Sequence, residues 1–300
     1  MNKKLYMHSF PLRFSLLKFV KKTPIRKTQW FKELKDEMIL NYLNKNFTVY
    51  DFSNEESQRA EKIIWTMWNQ GIEQAPDIVK MCYKSMEKYK PDNFKVVVIT
   101  DDNIDQYIKL PDYIYEKYQK GLITPTHFSD IVRVALLTRY GGLWLDATVF
   151  VTQKINPKIV DTDFFSINGY SLGLIPCTKD KWAYFTIASY KNSFVMHNLY
   201  ELLLDYWKKY DIAIDYYVID YFITLSKRNN KSINHAIDEN PINNQEIFAL
   251  TSLLENTQLI DEHELSIKLN DILNGKTYLH KLTYKREYNN KLIEILKKEV

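Results

Sequence analysis

The residues best suited to chemistry lie in one stretch, SDIVRVALLTRYGGLWLDATVF, which begins at Ser129. Asp130 and Arg133 are three residues apart, so they share one face of a predicted helix. Ser129 is expected to cap that helix by accepting a hydrogen bond from an early backbone N–H. Gly141 and Gly142 favour the left-handed backbone conformation that ends a helix, so the pattern predicts a helix followed by a tight turn.

A single carboxylate, Asp146, stands in the apolar run LWLDATVFV that includes the end of this stretch. Removing a carboxylate from water is costly unless it is paired or holds a cation. A two-glycine turn makes the helix and the strand run antiparallel, which returns Asp146 to Asp130 and Arg133. The stretch therefore predicts two carboxylates and one guanidinium at one edge of a sheet. The structural alternative is an Asp–Arg pair that steadies a helix end, with Asp146 accepting backbone hydrogen bonds.

Hydrophobic periodicity around this stretch predicts alternating strands and helices. Strands are predicted at 62–68, 95–100 and 143–151, and helices at 77–89, 111–120 and 128–139. This order is typical of an α/β fold with a mostly parallel sheet flanked by helices, which binds ligands beyond the carboxyl ends of its strands. Trp68, Asp101 and Asp146 lie at or near such ends and are therefore candidate binding residues.

The chain beyond residue 160 has a less regular pattern. Strand-like segments cover 164–171, 181–190 and 276–285, and helical patterns cover 195–209, 215–227 and 241–260. Asp215 and Asp220 in this part are candidate acceptor-side acids, although charge on a helix surface explains each of them as well.

Composition and charge restrict the class of protein. The 300 residues are 45% hydrophobic and 26% charged, which is typical of a soluble globular protein with one large domain or two smaller ones. Two cysteines far apart in the sequence form no metal or redox motif and indicate a reducing compartment such as the cytoplasm. No window reaches the roughly 18 apolar residues of a membrane-spanning helix.

The first fifty residues are strongly basic, with eleven Lys and Arg against three acids, whereas the rest of the chain is mildly acidic. The segment FPLRFSLLKFV at 10–20 predicts an amphipathic helix. Two interpretations remain open: packing on the main domain, or peripheral attachment to the inner face of a membrane. Residues 1–58 are predicted to form a basic helical extension, and residues 59–300 the main domain. Nucleic acid is not an expected partner, because the body of the chain is acidic.

The motif SDxxRxxxLxxYGGxWxDAT, preceded by IIWTMWNQG, resembles the bacterial capsular polysaccharide synthesis glycosyltransferases and, more widely, sugar transferases with a DXD motif. The similarity covers residues 60–155 best and is weaker elsewhere. It implies a GT-A fold, in which an α/β sheet binds a nucleotide sugar. A UDP-sugar is the first expectation for the donor, and Mn²⁺ or Mg²⁺ for the cofactor. The resemblance also implies that the transferred sugar keeps its anomeric configuration.

Individual residues take their expected roles from this resemblance. Trp68 corresponds to an aromatic residue that stacks on the nucleobase, and Trp144 to one beside the sugar. Asp130 and Arg133 correspond to a pair that binds the donor sugar and its phosphate side, and Asp146 to the first acid of DXD. These last three are the expected catalytic residues. The expected donor-binding residues are Trp65, Trp68, Asp101, Ser129, Trp144 and Lys281.

Thr148 departs from the family pattern, because it stands where DXD enzymes have their second acid. A neutral hydroxyl is a weak ligand for Mg²⁺ or Mn²⁺. The expected protein ligands of a metal are Asp146, Thr148 and His280, since many GT-A enzymes close the metal site with a histidine near the C-terminus. Lys281 or Lys285 would then pair with the diphosphate. The alternative for His280 is a strand histidine packed under a lid.

Together these features predict a hexosyltransferase that moves a sugar from a nucleotide sugar to a glycan acceptor, such as a lipid-linked glycan, in capsular or cell-surface polysaccharide synthesis. One alternative is a catalytically silent relative that binds glycans or acts as a scaffold, because Thr148 could mark a degenerate site. A nucleotidyltransferase or phosphotransferase is less consistent with the chain, which lacks a glycine-rich phosphate loop.

Overall fold

A computed structural model describes residues 24–53, 56–170, 176–255 and 262–300. The predicted amphipathic segment at 10–20 lies outside these ranges. None of the helices within them has the length and apolar content that crossing a membrane requires.

The strands of the described chain form two sheets. They are β1 (Ile63–Met67), β2 (Lys95–Ile99), β3 (Gly142–Leu145), β4 (Val149–Val151), β5 (Phe165–Ser166), β6 (Thr186–Ser189) and β7 (Leu279–Lys281). The central sheet has the order β2-β1-β3-β6-β5, with β2, β1 and β3 parallel and β6 antiparallel to both of its neighbours. Four of its five strands therefore share one direction. The predicted α/β fold with a mostly parallel sheet is confirmed.

Helices flank the two sheets of the described chain. They are α1 (Gln29–Asn46), α2 (Asp77–Tyr89), α3 (Ile104–Tyr107), α4 (Asp112–Gln119), α5 (Pro125–Tyr140), α6 (Phe194–Lys209), α7 (Val218–Asn229), α8 (Lys231–Asp238), α9 (Ala249–Leu254), α10 (Glu262–Leu273) and α11 (Asn290–Lys298). Helix α2 has the predicted bounds. The predicted helical region at 241–260 contains only the short helix α9 among its described residues, and the predicted strand at 276–285 shortens to β7.

Both faces of the central sheet are buried, as the side chains of β1 show. Trp65 belongs to one hydrophobic cluster together with Ile131 of α5, whereas the next side chain, Ile64, belongs to another together with Met86 of α2. Because successive side chains of a strand point to opposite faces, α5 and α2 cover opposite faces of the sheet. A strand buried on both faces is mostly apolar, and in β1 only Thr66 is polar.

The predicted strand at 143–151 is in fact two strands in two different sheets. β3 ends at Leu145, and β4 pairs with β7 in an antiparallel sheet of its own. Between them the backbone turns at Asp146, whose carbonyl accepts from the N–H of Val149 at 2.8 Å. The sequence is apolar on both sides of this turn because both strands are buried. Asp146 therefore lies in the turn where the chain passes from one sheet to the other, and not inside a strand.

Helix α5 begins one turn earlier than the sequence predicts. Thr124 is its N-cap, with a hydroxyl that accepts from the N–H of His127 at 3.3 Å, and Pro125 occupies the first helical position. Proline is favoured there because its fixed φ suits a helix and its missing N–H is not needed. The predicted N-cap, Ser129, instead lies inside the helix.

The two glycines after α5 are required by close packing. Gly141 and Gly142 have φ of 65° and 99°, which side chains rarely adopt. A Cβ on Gly141 would lie 2.5 Å from the N of Lys191, and one on Gly142 would lie 2.6 Å from the O of Ile63. The predicted tight turn is confirmed, and it fits between β1 and the end of β6.

Helix α1, which belongs to the predicted N-terminal extension, packs on the rest of the molecule. Ile39, Leu40 and Leu43 are buried in the same hydrophobic cluster as Phe222 of α7. The part of the extension that the structure describes thus contributes to the main core, and the domain boundary at residue 58 stays a prediction.

Candidate active site

An open cleft of about 840 Å³ lies beyond the carboxyl ends of β1 and β3. This is the position at which mostly parallel sheets bind ligands. Elements distant in sequence contribute to its walls. The residues that line it include Trp68, Ser129, Arg133, Asp146, Lys281 and Tyr284.

Arg133 joins the two carboxylates that the sequence predicts beside it. Its Nη1 donates to Asp130 Oδ1 and its Nη2 donates to Asp146 Oδ1, each at 2.9 Å. The guanidinium carbon lies 4.9 Å from the ring centre of Trp144 and 5.1 Å from that of Tyr184, within the range of cation–π contacts. Only 2% of Arg133 is exposed. Its positive charge is therefore held in one place at the floor of the cleft.

Asp146 accepts hydrogen bonds on both of its carboxylate oxygens. Oδ1 also accepts from Trp144 Nε1, and Oδ2 accepts from Lys281 Nζ, each at 2.9 Å. Burial alone would raise the pKa of Asp146, but Lys281 and Arg133 more than offset that effect and hold the pKa below its ordinary value. The same Lys281 ammonium donates to Thr148 Oγ1 at 2.8 Å. Asp146 is thus an ionised carboxylate between two cations.

Asp130 is placed behind the cleft and does not line it. Its carboxylate is 2% exposed and lies against Arg133, which separates it from the open space. Burial raises the pKa of Asp130 to about 7, although Arg133 opposes this shift. The position suits a residue that orients Arg133, and the predicted direct contact with a donor sugar has no support in the geometry.

The aromatic end of the cleft is built around Trp68. The Trp68 ring meets that of Tyr284 edge to face, with centres 5.3 Å apart. The neighbouring Asn69 also lines the cleft, and its amide donates to Asp101 Oδ1 at 2.8 Å and to Tyr118 OH at 2.5 Å. Asp101 itself lies outside the lining and holds Asn69 in position. Trp68, the predicted nucleobase residue, therefore lines the cleft. Asp101 does not line it and contacts Asn69, which does.

Trp65 has a different place from the one predicted. It is fully buried, and its indole N–H donates to the carbonyl of Gly141 at 2.9 Å, so it holds the turn after α5 and does not reach the cleft. Trp144 and Ser129 do line the cleft, as predicted. The N–H of Trp144 is directed to Asp146, and the face of its ring lies against Arg133.

His280 also departs from its predicted place. It is fully buried in β7, opposite Phe150 of β4, and it does not line the cleft. Successive residues of a strand point to opposite faces, so the strand that brings Lys281 to Asp146 turns His280 away. Burial lowers the pKa of His280 to about 4, which keeps its ring neutral. The alternative that the sequence left open, a packed strand histidine, matches this environment.

The side chains at the floor of the cleft do not fit a divalent ion held by the protein. The oxygens available are those of Asp146 and Thr148, and both side chains are bonded to the Lys281 ammonium. Within the described ranges, no group of three or more His, Cys, Asp or Glu residues is arranged to hold a metal. Mg²⁺ and Mn²⁺ favour several oxygen ligands without a competing cation. The predicted metal stays a prediction.

The two candidate acceptor-side acids are buried and lie outside the cleft lining. Asp215 pairs with Lys35 of α1 at 3.3 Å. Asp220 of α7 is 1% exposed and accepts from Trp182 Nε1 at 2.9 Å. Burial raises the pKa of Asp220 to about 8. The alternative interpretation as helix-surface charge is therefore wrong for both residues.

The structure also adds lining residues that the sequence did not single out. Tyr184 stands just before β6 and lies against Arg133, because β6 pairs with β3. Asn69, Tyr216 and Tyr284 are others. The motif IIWTMWNQG already contained Asn69. The remaining three come from segments whose spatial neighbours are not readable from the sequence.

Comparison with known proteins shows the family to which this chain belongs. A family model described as "Capsular polysaccharide synthesis protein" matches residues 18–299. The chain belongs to this family. The membership confirms the resemblance carried by the SDxxR and YGGxWxDAT residues, and it extends that resemblance well beyond residues 60–155.

Matches to individual proteins and solved structures are shorter or weaker. The glycosyltransferase afumC of Aspergillus fumigatus is 23% identical over 101 residues, which are 31% of this chain and 26% of that protein. The O-glycosyltransferase PaGT of Phomopsis amygdali is 27% identical over 104 residues, 32% of this chain and 26% of its own. The match spans about a quarter of each relative. The solved PaToxG glycosyltransferase aligns with 84% of this chain and 98% of its own, at a TM-score of 0.43 and 13% identity.

Proposed function

We propose that this protein is a glycosyltransferase that moves a hexose from a nucleotide diphosphate sugar, with a UDP-sugar as the first choice, to a glycan acceptor in capsular or cell-surface polysaccharide synthesis. The observation that carries the proposal is the row Arg133–Asp146–Lys281 at the floor of an open cleft. Family membership and the similarity to two fungal glycosyltransferases support it.

The cleft offers a separate environment for each part of such a donor. The exposed face of Trp68, with Asn69 beside it, suits a nucleobase, because a base can stack on the ring and bond to an amide. The cations of Arg133 and Lys281 suit the diphosphate and the sugar next to it. Trp144 and Tyr184 close the sugar end on the side of α5.

The reaction needs stabilisation of the leaving group above all. The bond between the anomeric carbon and the diphosphate breaks, and its electron pair remains on the diphosphate oxygen. The acceptor hydroxyl oxygen bonds to the anomeric carbon and loses its proton to that diphosphate oxygen. Fixed cations near the departing oxygen lower the barrier, because they need no reorganisation as negative charge develops. Retention of configuration belongs to the proposal through the family resemblance.

The acceptor side of the proposal rests on the open part of the cleft. Tyr216 is 52% exposed and lines the cleft, as Phe248 does, so a sugar ring could stack on an aromatic side chain there. A lipid-linked glycan as acceptor would agree with the basic, amphipathic segment at 10–20, which would bring the protein to the cytoplasmic face of a membrane.

A thermal-shift screen of UDP- and GDP-sugars, with and without Mn²⁺, tests the donor class. At least one nucleotide sugar is expected to raise the melting temperature, because binding to the folded state alone stabilises it. Asp146→Asn should then lower donor hydrolysis by about a hundredfold, since it removes the charge that positions Arg133 and Lys281.

Asp112→Asn, which changes an exposed carboxylate of α4, is the matched control and should hydrolyse the donor like the wild type. The proposal fails if no nucleotide sugar shifts the melting temperature, or if Asp146→Asn keeps full activity. Binding of a nucleotide sugar without any transfer or hydrolysis would instead favour the catalytically silent alternative.

A further inference from the structure

Lys281 occupies the place between the two side chains that a DXD motif would use to hold a metal ion. Its ammonium donates to Asp146 Oδ2 at 2.9 Å and to Thr148 Oγ1 at 2.8 Å. The side chain of Lys281 is 21% exposed, on the cleft side. An ammonium has three N–H donors. Two are used by Asp146 and Thr148, which leaves a third for an oxygen of a bound diphosphate.

The ammonium of Lys281 is held in position by its backbone and by its surroundings. Lys281 pairs with Val149 across the β4–β7 sheet, its N–H donates to the carbonyl of Ile247 at 2.9 Å, and its own carbonyl accepts from Thr251 Oγ1. Its Nζ also lies 4.9 Å from the ring centre of Phe185. The Lys281 ammonium therefore has a fixed position, as a bound metal ion has and a mobile surface lysine lacks.

The charges at the floor of the cleft oppose the entry of a divalent ion. Asp130 and Asp146 are balanced by Arg133 and Lys281, so the cluster has no surplus of negative charge. A metal ion would have to displace Lys281 from Asp146 and then remain beside a guanidinium with only one carboxylate ligand. Repulsion between cations is strong at such distances in a partly buried site.

We infer that Lys281 takes the role that a divalent metal has in DXD sugar transferases, and that this enzyme transfers sugar without a metal. The inference rests on the proposed function. The Lys281 ammonium donates its third N–H to the diphosphate and neutralises the oxygen that keeps the electron pair when the anomeric bond breaks. Asp146 and Thr148 hold the ammonium, in place of holding a metal.

Binding of UDP and of GDP to the full chain, measured by calorimetry in EDTA and in Mn²⁺, tests the inference independently of turnover. The wild type is expected to bind at least one of them equally well in both conditions. Lys281→Met should weaken this binding by about ten- to a hundredfold, because it removes one charge-assisted hydrogen bond. Lys268→Met, which changes an exposed lysine of α10, should bind like the wild type.

A second variant, Lys281→Asp, tests whether the role of Lys281 is only structural, because a purely structural role would not make hydrolysis by this variant depend on a metal. It places a second carboxylate next to Asp146, so donor hydrolysis by this variant is expected to require Mn²⁺, whereas hydrolysis by the wild type is unaffected by EDTA. Circular dichroism of both Lys281 variants checks that they fold.

The possible outcomes separate this inference from the proposed function. If the wild type binds nucleotide and hydrolyses donor only with Mn²⁺, the inference is overturned and the glycosyltransferase function stands. If Lys281→Met folds and binds as tightly as the wild type, the inference is also overturned. If the wild type neither binds a nucleotide nor hydrolyses a nucleotide sugar in either condition, the proposed function fails and the inference fails with it.

Discussion

Arg133 is held on two sides by carboxylates and on its faces by aromatic rings. A planar guanidinium can bond to Asp130 and Asp146 at once, because its two terminal nitrogens point in different directions. A lysine at this position would offer a single nitrogen, so both acids would have to approach the same atom, whereas each acid here has its own nitrogen of Arg133. The cluster therefore depends on the residue type and not on positive charge alone.

Asp220 is a buried acid that the proposed mechanism does not use. It accepts from Trp182, while its Oδ2 has no hydrogen-bond partner among the described residues. Because burial raises its pKa to about 8, it is protonated in the folded protein at neutral pH. An unfolded chain has released this proton above a pH of about 4. Between these two pH values, the free energy of unfolding therefore falls as the pH rises.

We predict that Asp220→Asn stabilises the protein at alkaline pH. The neutral amide mimics the protonated acid, so the variant lacks the loss of stability that Asp220 causes. The gain over the wild type should grow by up to about 1.4 kcal/mol for each pH unit between the two pKa values and then stay constant. Chemical denaturation at pH 5 and pH 9 measures it. Asp102→Asn, at an exposed position, is the control, and parallel curves for Asp220→Asn and the wild type would refute the prediction.

The turn between α5 and β3 is the element that assembles the candidate site. It lets α5 run back along β3, which brings Arg133 to Asp146, and the indole of Trp65 fastens it through the carbonyl of Gly141. The next residue, Gly142, has no room for a side chain, because a Cβ there would lie 2.6 Å from the O of Ile63. The backbone of this turn and the geometry of the candidate site therefore depend on the same residues.

Gly142→Ala is expected to lower both stability and donor hydrolysis. The unfavourable φ alone costs about 1–3 kcal/mol, and the clash with β1 adds to this cost. Gly121→Ala is a matched control, because Gly121 has a φ of 69° with nothing within 4 Å of its added Cβ. Urea denaturation measures the free energy of unfolding of both variants. The difference between their losses is the cost of the clash, because both variants have the unfavourable φ. Equal losses of stability in the two variants would show that close packing at Gly142 is unimportant.

Local patterns in the sequence were sufficient for three of the four charged residues at the candidate site. The sequence predicts that Asp130, Arg133 and Asp146 lie close together, because one helix, one glycine turn and one strand connect them. The fourth charged residue could not be chosen in this way. Whether His280 or Lys281 faces Asp146 depends on the register of β7 against β4, and a shift of one residue would exchange the two side chains. This pairing joins residues more than a hundred positions apart, and no local pattern determines it.

The start of α5 was predicted wrongly for a different reason. Ser129 and Thr124 are both suitable N-caps, and the decisive signal, Pro125 at the first helical position, lies next to Thr124. The break between β3 and β4 was hidden because both strands are fully apolar. Hydrophobicity reports burial and does not report which sheet a strand joins.

At the scale of the whole molecule, charge is divided unevenly along the chain. The first fifty residues hold eleven Lys and Arg against three acids, although the net charge of the protein is only +4. A lipid-linked acceptor would place the protein at a membrane whose cytoplasmic surface is negatively charged. The basic segment would then be attracted to that surface and the acidic body repelled from it.

We predict that removal of residues 1–23 reduces binding to anionic membranes. Co-sedimentation with phosphatidylglycerol vesicles at low salt should decrease strongly, because the deletion takes away basic and apolar side chains together. Vesicles of phosphatidylcholine and a high-salt buffer are the controls, since salt screens the attraction. Equal sedimentation of the truncated and full-length chains would remove the anchoring proposal while leaving the proposed chemistry untouched.

The division of the apolar run between two sheets has a consequence for the order of events on the ribosome. A nascent chain of about 150 residues already contains the segments that bring Arg133 to Asp146, as well as β4. It still lacks β7, which is the partner of β4 and the source of Lys281. Translation must therefore pass residue 281 before the site has its second cation. A product that ends before residue 281 would lack both the cation beside Asp146 and the end of the strand that pairs with β4.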